Sequence, residues 1–122
     1  MKKLPDAEFD VMKVVWANHP PLSAATIMKQ HGHHAGWKVQ TAITLLLRLV
    51  ERGFLRTEKV GNERIYFPLV KQDDYLKFET AHFIKQYHKN SFLNLVAMLH
   101  GDDTLTDDDV NGLRKLLNER GN

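Results

Sequence analysis

Apolar residues recur every three or four positions from Val39 onward, which predicts an amphipathic helix. The apolar stripe, expected to be buried, consists of Val39, Ala42, Ile43, Leu46, Leu49 and Val50. The opposite face is polar and carries Gln40, Thr41, Thr44 and Arg48. Gly53 predicts the end of this helix, because glycine adopts the left-handed conformation without steric cost.

Two short β-prone runs follow directly, over residues 54–60 and 64–67. Gly61, Asn62 and Glu63 join them, which predicts a tight antiparallel ribbon. Pro68 closes the second strand, because proline cannot donate to a strand ladder. A helix with a polar face followed by a basic ribbon is typical of winged-helix proteins that read DNA, so we call residues 39–52 the recognition helix.

Two further helices are predicted ahead of the recognition helix. The first covers about residues 6–18 and ends before Pro20 and Pro21, which forbid helical hydrogen bonds. Its apolar face consists of Phe9, Met12, Val15 and Trp16. The second begins at Ser23, a favourable N-cap, and continues to Gln30. Residues 31–37 are then expected to form a linker longer than the turn of a tight helix-turn-helix.

Three helices are predicted in the remainder of the chain. One starts at Asp73 and Asp74 and continues to about His88. A short, very apolar helix covers residues 92–99. The last begins at Thr106, with aspartates in its first turn that complement the helix dipole. The predicted fold class is therefore mainly α with a small β-ribbon. It combines a winged helix-turn-helix DNA-binding domain (residues 1–71) with a helical dimerisation region (residues 72–122).

These C-terminal helices carry more apolar surface than three short helices can enclose, which predicts a homodimer. Packing against the N-terminal domain of the same chain is the alternative. Two-fold symmetry also fits an inverted-repeat DNA operator. The predicted dimerisation residues are Phe83, Tyr87, Phe92, Leu95, Val96, Leu99, Leu113, Leu116 and Leu117.

Charge is distributed unevenly, although the formal net charge of the 122 residues is only +2. Residues 1–71 hold 11 Lys and Arg against 6 Asp and Glu, whereas residues 72–122 hold 6 against 9. The excess of positive charge in residues 1–71 favours binding to the phosphate backbone of a nucleic acid. The absence of cysteine excludes disulfides and thiolate metal sites, and no apolar run is long enough to span a membrane. A cytoplasmic protein without a membrane partner is expected.

Residue chemistry assigns roles on the recognition helix and the ribbon. Gln40 can bond to adenine N6 and N7, and the methyl groups of Thr41 and Thr44 can contact thymine. Arg48 and Arg64 suit phosphate or the minor groove. The remaining candidates, both for phosphate, are Lys38 and Lys59.

Histidines at 31, 33 and 34 raise the question of a metal site. A glycine-containing loop without a nearby carboxylate or thiolate lacks the groups that orient metal ligands, so solvated loop histidines and no metal are expected. Neither a phosphate-binding glycine loop nor a catalytic triad is evident, so the chain is not expected to be an enzyme and no cofactor is predicted. A repressor that senses a metal or small ligand, and a winged-helix module that binds protein, are the alternative functions.

The residues also resemble a known family, the penicillinase and methicillin-resistance repressors (the BlaI/MecI family). The matching positions are Leu4 to Met12, Val15-Trp16, Gln40-Thr41, Thr44, Leu45, Leu49, Gly53-Phe54-Leu55 and Tyr66. The resemblance implies a dimeric transcriptional repressor with an N-terminal winged helix and intertwined C-terminal helices. It also implies short inverted-repeat operators upstream of resistance or stress genes.

Three features depart from the family pattern. Some members are induced by a regulatory protease that cuts an Asn-Phe bond, a pair this chain lacks; Met98-Leu99 occupies the matching position. The cysteine cluster of copper-responsive relatives is absent. Pro5 replaces the usual Ser or Thr ahead of the first helix. The resemblance therefore leaves the inducing signal open.

Overall fold

A computed structural model describes residues 1–121 of the chain, so Asn122, the last residue of the predicted C-terminal region, lies outside the described residues. The chain divides into two compact units, Met1–Phe78 and a second that starts at Glu79. The elements in chain order are α1 (Asp6–Ala17), α2 (Ala24–Ile27), a π-helical turn (Met28–Gly32), α3 (His33–Ala35), α4 (Val39–Glu51), β1 (Leu55–Val60), β2 (Glu63–Pro68), α5 (Gln72–Tyr87), α6 (Phe92–Gly101) and α7 (Asp107–Gly121). No helix in the described part of the chain is both long and apolar enough to cross a bilayer.

The first unit is built around one apolar core, to which α1, α2, α4 and the ribbon all contribute. Helix α1 begins after Pro5, which provides no side-chain cap; the Pro5 carbonyl instead accepts from the Phe9 amide at 2.9 Å. The core residues are Leu4, Val11, Met12, Val14, Val15, Leu22, Ile27, Met28, Ala42, Leu45, Leu46, Leu49, Phe54, Leu55, Tyr66 and Tyr75.

The predicted linker over residues 31–37 is wrong, because the chain stays helical to Ala35. Gly32 is buried in the π-helical turn, where a Cβ atom would lie 2.5 Å from Met28 Sδ and 3.5 Å from the Trp37 ring. The missing side chain thus lets two large residues pack over the helix. Gly36 (φ 73°) then ends it, leaving a turn of only Gly36, Trp37 and Lys38 before α4.

Helix α4 buries a stripe that differs in part from the predicted one. Ala42, Leu46 and Leu49 are buried as expected, and Leu45 is buried as well. Val39 and Ile43 were predicted to be buried, but they remain 54% and 38% exposed. The apolar arc of this helix is wider than the surface that the rest of the unit covers, and periodicity alone does not show which part of the arc is covered.

The ribbon is an antiparallel pair in which Leu55 faces Pro68 and Val60 faces Glu63. Its turn is therefore shorter than predicted, since Glu63 already belongs to β2. Leu22 extends the pairing, because its amide and carbonyl both bond to Tyr66, at 3.1 and 2.8 Å. The ribbon is thereby tied to the segment that precedes α2.

Tyr75 explains why the first compact unit extends to Phe78, beyond the predicted boundary at residue 71. Its ring is fully buried, and its hydroxyl accepts a 2.8 Å hydrogen bond from the Leu4 amide. The rings of Phe9, Trp16 and Phe54 lie 5.5–5.9 Å from it, centroid to centroid. The first turn of α5 therefore belongs to the core of the first unit.

A buried carboxylate joins α1 to the end of α4. Glu8 is only 1% exposed, and its Oε1 accepts a 2.6 Å hydrogen bond from Nε of Arg52, the residue that caps α4. Removing one partner of such a pair leaves the other as an unpaired charge buried away from water, which is strongly destabilising. The pair therefore fixes the C-terminal end of α4 against α1.

The helices of the second unit begin at side-chain caps. Ser91 Oγ accepts from the Asn94 amide at the start of α6. At α7, Thr106 and Asp109 each accept from the other's amide at 3.0 Å, a capping box that confirms the predicted N-cap. The backbone and side-chain hydrogen bonds from Thr106 lower the pKa of the Asp109 carboxyl.

Replacing Tyr75 with Phe should lower the free energy of unfolding by about 1–3 kcal/mol, because the buried Leu4 amide loses its acceptor. Urea denaturation followed by tryptophan fluorescence measures the change. Tyr87→Phe is the matched control, since the Tyr87 side chain is 62% exposed. Equal stability of Tyr75→Phe and the unaltered protein would contradict the anchoring role of this hydroxyl.

Candidate nucleic-acid interface

Five of the seven predicted DNA-binding residues line one shallow groove along α4. Residues at the start of the helix and one turn later contribute, with buried Leu45 at the base. The groove is lined by Lys38, Gln40, Thr41, Thr44, Leu45 and Arg48. Thr44 is half-buried and the other predicted residues are exposed. The structure therefore collects amide, hydroxyl and cationic groups on one open surface.

The start of α4 is open to an anion as well. Lys38 occupies the N-cap in an extended conformation and provides no side-chain cap. Its carbonyl accepts from the Thr41 and Ala42 amides. The helix dipole places partial positive charge at this end, where the Lys38 ammonium adds to it. A phosphate group suits this position electrostatically.

Thr44 is held in a defined orientation. Its Oγ1 donates a 2.9 Å hydrogen bond to the Gln40 carbonyl one turn earlier. The hydroxyl hydrogen is used within the helix, which is consistent with the predicted contact through the Thr44 methyl group. The exposed side chain of Gln40 stands on the same surface.

The other two predicted residues face each other across the ribbon. Lys59 on β1 pairs with Arg64 on β2, and both are exposed. Like charges directly opposite each other destabilise a strand pair, so this pair favours an anion nearby. Arg64 also lines a second groove, to which Ile43 of α4 contributes as well. Sequence reasoning did not include Ile43, because the periodicity assigned it to the core.

Arg56 shows that the two faces of the ribbon differ. Its guanidinium donates to Glu58 at 2.6 Å and lies 3.9 Å from the centre of the Phe67 ring. Strand alternation puts Arg56 on the face opposite Lys59. The basic residues on the face of Lys59 and Arg64 have no such ion pair among the described residues.

The three histidines do not form the loop that the sequence suggested, because residues 31, 33 and 34 lie in helical backbone. His31 packs its ring 4.8 Å from the Trp37 ring and places Nε2 3.6 Å from Asp10 Oδ2. Within residues 1–121, no three His, Cys, Asp or Glu side chains are grouped closely enough to hold a metal ion.

The second unit leaves its predicted dimerisation residues uncovered in the single chain. Among its described residues, only His88 is buried; its Nδ1 lies 3.0 Å from Asn94 Oδ1. The nine predicted dimerisation residues are all exposed or half-buried. Met98 and Leu99, the pair predicted to match the family's cleavage position, lie within α6.

Comparison with known proteins gives consistent matches. A family model described as penicillinase repressor matches residues 4–119. The chain is 30% identical to the penicillinase repressor of Bacillus licheniformis, over 100% of this chain and 97% of that protein. It is 29% identical to the methicillin resistance regulatory protein MecI of Staphylococcus aureus (strain N315), over 97% of this chain and 95% of that protein.

Two solved structures are similar to the first part of the chain. The solution structure of the DNA-binding domain of the repressor BlaI is 36% identical, with a TM-score of 0.52, and the match covers 62% of this chain and 94% of that one. The monomeric form of Bacillus licheniformis BlaI in complex with the blaP half-operator is 34% identical, with a TM-score of 0.50, over 61% and 89%. These matches confirm the predicted winged-helix fold.

Arg64→Ala should weaken binding to duplex DNA of any sequence and flatten the plot of log affinity against log salt by about one unit, because one phosphate contact is lost. Fluorescence anisotropy with a random-sequence duplex at several salt concentrations measures both quantities. Arg56→Ala, on the other face of the ribbon, is the control. An equal change in the two variants would contradict the assignment of this face.

Proposed function

The chain belongs to the penicillinase repressor family, and from this we infer that it is a DNA-binding repressor; we propose further that it acts as a homodimer on an inverted-repeat operator. Family membership, and not the absence of a catalytic site, confirms the expectation that it is not an enzyme. The observation that carries the proposal is the groove of α4, where Gln40, Thr41 and Thr44 stand beside Lys38 and Arg48.

Base reading is proposed for the N-terminal half of α4, whose first residues are the ones a winged helix-turn-helix aims at base edges. The Gln40 amide would donate to adenine N7 and accept from N6. The methyl groups of Thr41 and Thr44 would contact thymine. Gln40 supplies a donor and an acceptor in the fixed geometry of one amide, so it discriminates between bases more sharply than a lone cation.

Cations on either side of this reading surface are proposed to fix its position on the duplex. Arg48 and Lys38 would bind phosphates beside the helix, and Arg64 and Lys59 would bind them at the ribbon. These contacts contribute affinity without sequence information, because every phosphate is alike. The proposed division of labour thus assigns specificity to α4 and general affinity to the flanking basic residues.

One chain would read one half of the operator. The BlaI relative was solved in its monomeric form on a half-operator, which supports this stoichiometry. Two linked chains bind two half-sites more tightly than separate ones, because the second contact becomes intramolecular. Dimerisation therefore determines whether the operator is occupied at low protein concentration.

The second unit is the proposed dimerisation region. The apolar residues in its described part do not form a buried core of their own: Leu116 is 63% exposed and Phe92 is 50% exposed. Burial of such side chains against a second copy would contribute about 25 cal/mol for each Å² removed from water. A dimer would thus bury the apolar side chains that a single copy of α6 and α7 leaves exposed.

Release from DNA is proposed to act on this dimer. The inducing signal is open; if it is a regulatory protease, a cut between Met98 and Leu99 would separate α7 from the rest of its chain. The bond lies in helical backbone, so α6 would have to open locally before it fits a protease. Cleavage would weaken the link between half-sites and leave the reading surface intact.

Gln40→Ala should reduce affinity for the selected operator by about 1–3 kcal/mol and relax the base preference at one position of each half-site. Selection from a random duplex library, followed by fluorescence anisotropy, measures both. Gln72→Ala, an exposed glutamine at the start of α5, is the control. An unchanged base preference in Gln40→Ala would remove this residue from the reading surface.

Leu116→Asp should convert the protein to a monomer at micromolar concentration, because burying an unpaired carboxylate costs several kcal/mol. Analytical ultracentrifugation of the full chain gives the mass in solution. Leu69→Asp is the control, since Leu69 is 56% exposed but lies in the first unit. A monomeric unaltered protein, or a dimeric Leu116→Asp variant, would refute the proposed interface.

A further inference from the structure

Three aliphatic side chains form an exposed row on α4. Val39, Ile43 and Leu47 are spaced by four residues, so they lie along one side of the helix. Their exposed fractions are 54%, 38% and 54%. These three residues do not belong to the core, because α4 packs against the rest of the first unit through other residues.

Single exposed aliphatic residues are common on protein surfaces, but this row has a specific setting. Ile43 lines the groove that contains Arg64 of the ribbon. On the other side, Gln40 and Thr44 line the groove that contains Arg48. The apolar row is therefore flanked by cations on both sides, so a polyanion would meet the cations at its edges and the row between them.

Duplex DNA has this distribution of chemistry in its major groove. Phosphates stand along both edges, and the only apolar group on the floor is the C5-methyl of thymine. A protein partner with a comparable apolar strip would not need cations along both sides. Charge complementarity therefore favours DNA as the occupant of this surface.

We propose that Val39, Ile43 and Leu47 contact thymine methyl groups and make each half-site thymine-dependent at the positions they face. This inference rests on the proposed function and deepens it, since it adds an apolar reading strip to the polar contacts of Gln40. The strip distinguishes thymine from cytosine by burying a methyl group, whereas Gln40 recognises adenine through hydrogen bonds. Two independent kinds of contact would then specify one half-site.

The test replaces thymines with deoxyuridine, which lacks only the methyl group. Duplexes are first selected from a random library by the unaltered full chain, and each thymine is then exchanged in turn. Affinity should fall about fourfold for each contacted methyl group, the factor expected for removing one buried methyl from an apolar contact. Fluorescence anisotropy at constant salt measures it.

Protein variants connect the effect to the row. The double variant Ile43→Ala, Leu47→Ala should bind the thymine duplex less tightly. It should lose the difference between thymine and deoxyuridine at the positions that Ile43 and Leu47 face, while thymines that face Val39, Thr41 or Thr44 keep it. Leu69→Ala removes an aliphatic side chain of similar exposure elsewhere in the first unit and should retain the discrimination. Circular dichroism verifies that each variant is folded.

The outcomes separate this inference from the function on which it rests. If the unaltered chain selects specific duplexes but deoxyuridine changes no affinity, the methyl contacts are refuted and the repressor function stands. If the double variant keeps the full discrimination of the unaltered chain at every thymine, other residues read the methyl groups and Ile43 and Leu47 are not their site. If no sequence is selected at all, the proposed function fails, and this inference fails with it.

Discussion

Burial of one side of α4 is the constraint on which the rest of the first unit depends. The helix packs against the core through Ala42, Leu45, Leu46 and Leu49, so its opposite side faces outward. Its ends are fixed separately, by the short turn after Gly36 and by the bond between Arg52 and Glu8. A helix held along one side and at both ends offers its free surface as a rigid template.

Features that depend on local chemistry were predictable from the sequence. The ribbon, the cap at Thr106 and the glycine stop after α4 each depend on a few neighbouring residues. The helix through Gly32 was not predictable in this way, because that glycine serves the packing of Met28 and Trp37 from two directions. Glycine usually interrupts a helix, but here it makes room for side chains four and five residues away, which the spacing of apolar residues does not reveal.

The candidate site also combines features that residue chemistry predicts with features that only packing determines. Residue types identified the polar groove of α4 and the basic pair of the ribbon, because amides and cations have recognisable chemistry. The exposure of Val39 and Ile43 was missed, since an aliphatic residue in a helical stripe is ordinarily assigned to the core. Only the three-dimensional arrangement shows that the core forms from other residues. Tyr75 was missed for a related reason: its acceptor role depends on Leu4, 71 residues away.

The facing Lys59 and Arg64 have a consequence for the protein without DNA. Their mutual repulsion destabilises the ribbon, and dissolved ions screen this repulsion. Raising the ionic strength would therefore stiffen the free ribbon while it weakens the bound complex. Added salt thus reduces the repulsion between these two side chains in the free protein, but it weakens their attraction to phosphate in the DNA complex. The order of the ribbon and the occupancy of the operator can therefore change in opposite directions.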